Sequence, residues 1–278
     1  MDWLLEPFET ALLQRALVVG IMAAITTSVV GTWVVLRGMA FIGDALAHGI
    51  LPGVAGALIM GFNPLLGGAV AAGMMIASIS WIHRSSRLSE DTAIGLLFVG
   101  MLAAGMILIS KSNSITVDPI AILFGSILGV TQRDVVVQAA ALVVTLVVAL
   151  VFYRPLLVLA FNEEKAHVLG LSPKSTHFVM MSLVTIAVIT SFEMVGSLLV
   201  FGLLVAPPAT ASLIARRVPV MMVLSSLIAS GAVVGGLVIS YHADTAGGAT
   251  IAALAVAIFF VTLVVKNLRM RQTVRLSV

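Results

Sequence analysis

Nine apolar runs dominate this chain, and they leave it few folds to choose from. They fall at roughly 15–36, 39–62, 64–82, 91–110, 135–153, 174–191, 194–214, 219–240 and 249–266. Each is about 18–24 residues long, the length a helix needs to cross a hydrocarbon core about 30 Å thick. A backbone in lipid must satisfy its own N–H and C=O groups, so runs of this kind fold as helices. The expected fold class is therefore all-α: a polytopic integral membrane protein with eight to nine transmembrane helices. The count is nine if every run crosses, and eight if one piece of 174–214 is re-entrant. Composition agrees, with 60% of the 278 residues hydrophobic and 10% charged, where a soluble domain carries about 25% charge. The chain reads as a single transmembrane domain over 1–278, with the lipid bilayer as its first partner.

Both ends carry information. Residues 1–14 mix Trp3, Leu4, Leu5, Phe8, Leu12 and Leu13 with Asp2, Glu6, Glu9 and Gln14, a pattern expected of a short helix lying in the membrane interface. The start lacks the basic segment of a cleaved signal peptide. Lys266, Arg269, Arg271 and Arg275 crowd the tail, which the positive-inside rule puts in the cytoplasm. Counting back, four more segments fall inside: Arg216–Arg217, the stretch with Arg154, Lys165 and Lys174, the stretch with His83, Arg84 and Arg87, and Arg37. The net charge of +3 is a topology signal on this reading, not a nucleic-acid footprint. Glycine is abundant, and Gly67, Gly68, Gly231, Gly235 and Gly236 read as sites of close helix packing.

Within the second run a carboxylate and an imidazole stand four residues apart, Asp44 and His48. On a helix that spacing puts both on one face, a turn apart. Ionisable groups inside a span are costly and mark a pathway, a relay or a partner. Asp and His are also metal-ligand types, so the pair is the candidate metal site. The bland alternative is a carboxylate bonded to a neighbouring helix beside a packed histidine.

Other chemistry is excluded. There is no Cys, which removes disulfides, thiolate metal sites and cysteine nucleophiles. Gly38–Gly43 has the glycine spacing of a phosphate loop, but Asp44 stands where the lysine must be, so the chain holds no ATP site. No His-Glu-x-x-His and no Gly-x-Ser-x-Gly occur, and the remaining histidines are scattered. Between Tyr153 and His177 runs the longest inside loop. Its segment 161–171, Phe161 to Leu171, reads as a short capped helix, either a connector or a docking element for a cytoplasmic subunit.

Four stretches, in order and spanning almost the whole chain, resemble the membrane permease of the zinc/manganese branch of ATP-binding-cassette importers. They are Phe41 to Gly53; Thr116-Val117-Asp118-Pro119 with Leu123-Phe124-Gly125; Glu163 to Gly170; and Val195 to Ala211 with Ser240-Tyr241 and Asp244. The sequence departs from the family pattern at Pro208, where Ala is usual, and at Ala246, where Pro is usual. The resemblance implies a permease fold like that of the vitamin-B12 importer (type II), in a bacterial inner (plasma) membrane. It implies a homodimer with a path on the two-fold axis lined by Asp44 and His48. Each second copy would then add another carboxylate and imidazole, a set suited to zinc or manganese as transported substrate, with no permanently bound cofactor. It further implies a cytoplasmic ABC ATPase dimer gripping Glu163, Glu164, Ala166, Leu169 and Gly170, and an extracytoplasmic metal-binding protein delivering the ion. Asp118, Glu193, His242 and Asp244 fall near the outer side and could meet the ion or that protein. The chain would be a transport subunit and not an enzyme. The rival readings are an ATPase-independent channel or proton-coupled carrier, and an intramembrane metalloenzyme.

Overall fold

The computed structural model describes residues 10–86, 88–111, 129–161 and 172–276. Regular structure among them is helical: α1 Ala11–Leu36, α2 Ile42–Gly49, α3 Leu51–Met60, α4 Pro64–Ser85, α5 Glu90–Lys111, α6 Gln132–Val151, α7 Tyr153–Phe161, α8 Pro173–Val195, α9 Ser197–Ile214, α10 Val218–Ala243 and α11 Gly247–Leu276. Seven stretches are long and apolar enough to cross a membrane, with α2 and α3 counted as one, and two more apolar helical stretches, Leu66–Ile82 and Leu199–Ile214, are shorter.

The apolar runs therefore all appear as helices, with three differences of detail. The second run is broken at Ile50, which ends α2 and starts α3. Pro52 has no N–H to offer the His48 carbonyl four residues back, so the helical ladder fails there. The proposed loop from Tyr153 to His177 is shorter than expected, because Tyr153–Phe161 is helical and buries Leu156 and Leu159. Its Pro155 sits in the first turn, where a missing N–H costs nothing. His177, expected beside that loop, is half-buried in the first turns of α8. At the N-terminus, helix α1 begins at Ala11 rather than near residue 15. Residues 1–9 of the expected interfacial helix, and residues 162–171 of the expected coupling helix, lie outside the described residues.

The hub is α1. In its most apolar window 72% of residues are buried, against 17% for α5, so α1 is packed by protein and α5 faces outward. It touches α10, α9, α6 and α8. Two apolar cores result. One gathers Trp33, Ile42, Leu46, Met75, Met181 and Leu204 around α2. The other gathers Ala16, Val19, Leu199, Leu203, Val233 and Ile251 at the far part of α1. Lipid supplies no hydrophobic drive between helices, so close approach by small residues does much of the joining. At Gly53 and Gly67 the backbones of α3 and α4 meet, each glycine facing the other's carbonyl, with Ala57 and Ala71 beside them. Gly236 meets the Ile251 backbone, at 2.7 Å from where a Cβ would stand. Gly231 differs from expectation: nothing lies within 4 Å of its Cβ position.

Helix α9 carries Pro207 and Pro208 in its interior. Pro208 cannot donate to the Leu204 carbonyl. That oxygen is turned against Gly31 of α1, in the space a side chain would fill, and the Leu204 side chain packs on Gly43 of α2. One residue thus joins the proline segment to the helix that bears Asp44. Helices α8 and α9 meet at Gly196, whose φ of 81° is in the left-handed region that favours glycine.

Candidate functional site

Helix α2 has eight residues, and six of them, Ile42, Gly43, Ala45, Leu46, Ala47 and Gly49, are buried. The two that are not are Asp44 and His48. Their side chains retain 34% and 15% exposure, so the carboxylate opens first and the imidazole stands behind it. Asp44 lies in the first turn and His48 in the last, the arrangement favoured by the helix dipole.

The pair is in contact. His48 Nδ1 lies 3.1 Å from the Asp44 backbone carbonyl and 3.3 Å from Asp44 Oδ1. A carbonyl oxygen can only accept, so Nδ1 carries the hydrogen. In the neutral imidazole the free lone pair is then on Nε2, and that nitrogen is the one available to a metal. The ring also meets Phe98 of α5 edge to face, with centroids 5.6 Å apart and planes at 88°. Helix α5 supports both halves of the broken helix: Gly105, seven residues beyond Phe98, packs on Leu51 and Pro52. Nothing in the sequence pattern pointed to Phe98, whereas Pro52 was a legible signal of the break.

Among the described residues no group of three or more His, Asp or Glu side chains comes together. The described residues therefore bring one carboxylate and one imidazole together here. Three of the other residues singled out lie on described helix ends. Glu193 is in the last turn of α8. His242 is in the last turn of α10, exposed, with its ring perpendicular to Tyr241 at 5.2 Å. Asp244 caps α10 with φ 51° and ψ 41°, and its N–H donates to the Ser240 carbonyl. Asp tolerates this left-handed conformation better than most residues because its short side chain bonds locally, so the helix stop alone accounts for an Asp at this position. Asp118 lies outside the described residues, as do Glu163, Glu164, Ala166, Leu169 and Gly170.

Comparison with known proteins covers nearly the whole chain. Positions 9–266 match the ABC 3 transport family. The manganese transport system membrane protein MntC of Listeria monocytogenes is 35% identical over 253 residues, covering 91% of this chain and 90% of its own. A probable iron transport system membrane protein of Haemophilus influenzae is 34% identical over 275 residues, 97% of this chain and 99% of its own. Among solved structures, PsaBC from Streptococcus pneumoniae in complex with Fab superposes with a TM-score of 0.83 at 34% identity, over 94% of each chain.

Proposed function

This chain belongs to the ABC 3 transport family as the membrane permease of a metal importer, and from that premise we propose that it moves Mn²⁺ inward as a homodimer. The observation that carries the reading is the Asp44–His48 pair, the two uncovered residues of an otherwise buried helix. Two copies supply two carboxylates and two imidazoles, a mixed oxygen and nitrogen set of the kind manganese, ferrous iron and zinc accept. Manganese is placed first because the relatives' names favour it, with iron next. Zinc is the third ion the ligands suit.

In this reading the fold is of the vitamin-B12-importer type, in a bacterial plasma membrane with the tail in the cytoplasm. A separate ATPase dimer supplies the energy, since no phosphate loop is present in the chain, and an extracytoplasmic protein delivers the ion. The segment Glu163, Glu164, Ala166, Leu169 and Gly170 is the ATPase contact. Cysteine placed at Ala166 in this cysteine-free chain is expected to crosslink to the ATPase, and crosslinks that reach only lipid or the permease itself would remove the segment from this role. Asp118, Glu193, His242 and Asp244 remain proposals for the outer face.

The test of function is uptake. Permease reconstituted in vesicles with its ATPase and delivery protein should take up radioactive manganese only with ATP. Unlabelled iron and zinc, added as competitors, rank the ions. Uptake of equal rate without ATP would reject the importer reading in favour of a channel or carrier.

A further inference from the structure

We propose that the groove between α1, α6 and α10 is a binding site for an anionic phospholipid, one acyl chain lying in the groove and the phosphate against Arg154, Arg216 and Arg217. The groove encloses about 580 Å³. Ile25 and Val29 form its floor, Leu146 and Leu150 one wall, and Met222 and Leu227 the other. Its lining is almost wholly apolar, and the Ser226 hydroxyl within it donates to the Met222 carbonyl at 2.9 Å. In a bilayer such a space is filled by hydrocarbon.

Length selects what fills it. On α10 the lining runs from Pro219 to Ser230. Eleven steps at about 1.5 Å make roughly 16 Å, close to half of a hydrocarbon core about 30 Å thick. The groove therefore spans one leaflet, as an acyl chain does and a crossing helix does not. The walls point the same way. Helix partners in membranes approach over Gly and Ala, whereas Leu150, Val223 and Leu227 stand 75%, 62% and 64% exposed along this groove.

Charge selects the headgroup. Tyr153 and Pro219 both line the groove. Arg154 follows the first directly, and Arg216 and Arg217 stand three and two residues before the second. All three arginines are exposed, and neither 151–161 nor 211–222 contains an Asp or Glu. A guanidinium matches a phosphate with paired N–H donors, and three of them favour a lipid of net negative charge over a zwitterionic one. This inference is independent of the metal reading.

The experiment uses the full chain in detergent, with phosphatidylglycerol, phosphatidylcholine and inorganic phosphate as probes. Native mass spectrometry reads retained lipid, and the melting temperature reads stabilisation. Phosphatidylglycerol is expected to be retained and to raise the melting temperature more than phosphatidylcholine, with no effect of inorganic phosphate. Replacing the three arginines by Gln should weaken that retention by more than about tenfold. Leu227→Trp, which fills the groove and leaves the charges, should also abolish the preference. Equal retention of both lipids, stabilisation by inorganic phosphate alone, or unchanged retention in both variants would overturn the proposal. So would a photo-crosslinker at Leu227 that reaches a second copy and not lipid.

Discussion

Asp44→Ala and His48→Ala are each expected to abolish metal uptake while membrane insertion and dimer assembly persist. The six buried residues of α2 hold that helix in place, and the pair contributes little to packing. Its polar contacts, from His48 Nδ1 to the Asp44 carbonyl and carboxylate, lie within the same helix, side-chain pairs of this kind stabilise by only about 0.3–0.5 kcal/mol, and Phe98 of α5 adds one ring contact to His48. A metal site is far more sensitive: even residues that merely orient a ligand cost about 10–100-fold when changed. Removal of a donor should therefore lower uptake per folded molecule by more than about a hundredfold. Asp44→Asn and His48→Gln keep shape and separate loss of donor chemistry from loss of fold. Uptake per folded molecule that is unchanged in all four variants would return the pair to a packing role.

Among the described glycines, Gly31→Ala should be one of the most damaging substitutions. Its Cβ would enter the space held by the Leu204 carbonyl and come within 3.0 Å of Pro208 Cγ. A side chain can rotate away from a clash, but this oxygen belongs to the backbone of α9, and moving it would also draw the Leu204 side chain off Gly43, beside Asp44. Overpacking of this kind costs about 1–3 kcal/mol and more where backbone must move. Yield and melting temperature in detergent should both fall. Gly231→Ala is the control: with nothing within 4 Å of its Cβ position, it should gain up to about 1 kcal/mol of helix propensity. Equal behaviour of the two variants would show that the α1–α9 contact is not tight.

The apolar runs were legible because lipid imposes one rule on every span, and the rule acts on composition alone. Asp44 and His48 were legible because a spacing of four is a fact of helix geometry. What the pair rests on was not. Phe98 reaches His48 from a helix about fifty residues away, and no local pattern records a contact of that range. Helix α7 lies in a stretch whose pattern predicts loop, and its Pro155 sits in the first turn, where proline is compatible with helix. Gly231 shares its spacing with Gly235, and only the packed structure separates the glycine that touches Leu254 from the one that touches nothing.

The hub position of α1 sets an order of assembly. Gly53 and Gly67, whose backbones meet, are 14 residues apart in the chain, and closing so short a loop costs little entropy. The α3–α4 hairpin can form as soon as both helices are in the bilayer. Gly20 of α1 instead packs on Val233, 213 residues later, and Gly31 on Leu204, 173 residues later. During synthesis α1 precedes all of these helices; α6 and α8 can cover part of it, but its faces at Gly20 and Gly31 wait for α10 and α9. Until then Thr26, Thr27 and Thr32 bond their own helix's carbonyls. These three hydroxyls thus have partners before the later neighbours of α1 exist, and its faces at Gly20 and Gly31 close only when α10 and α9 follow.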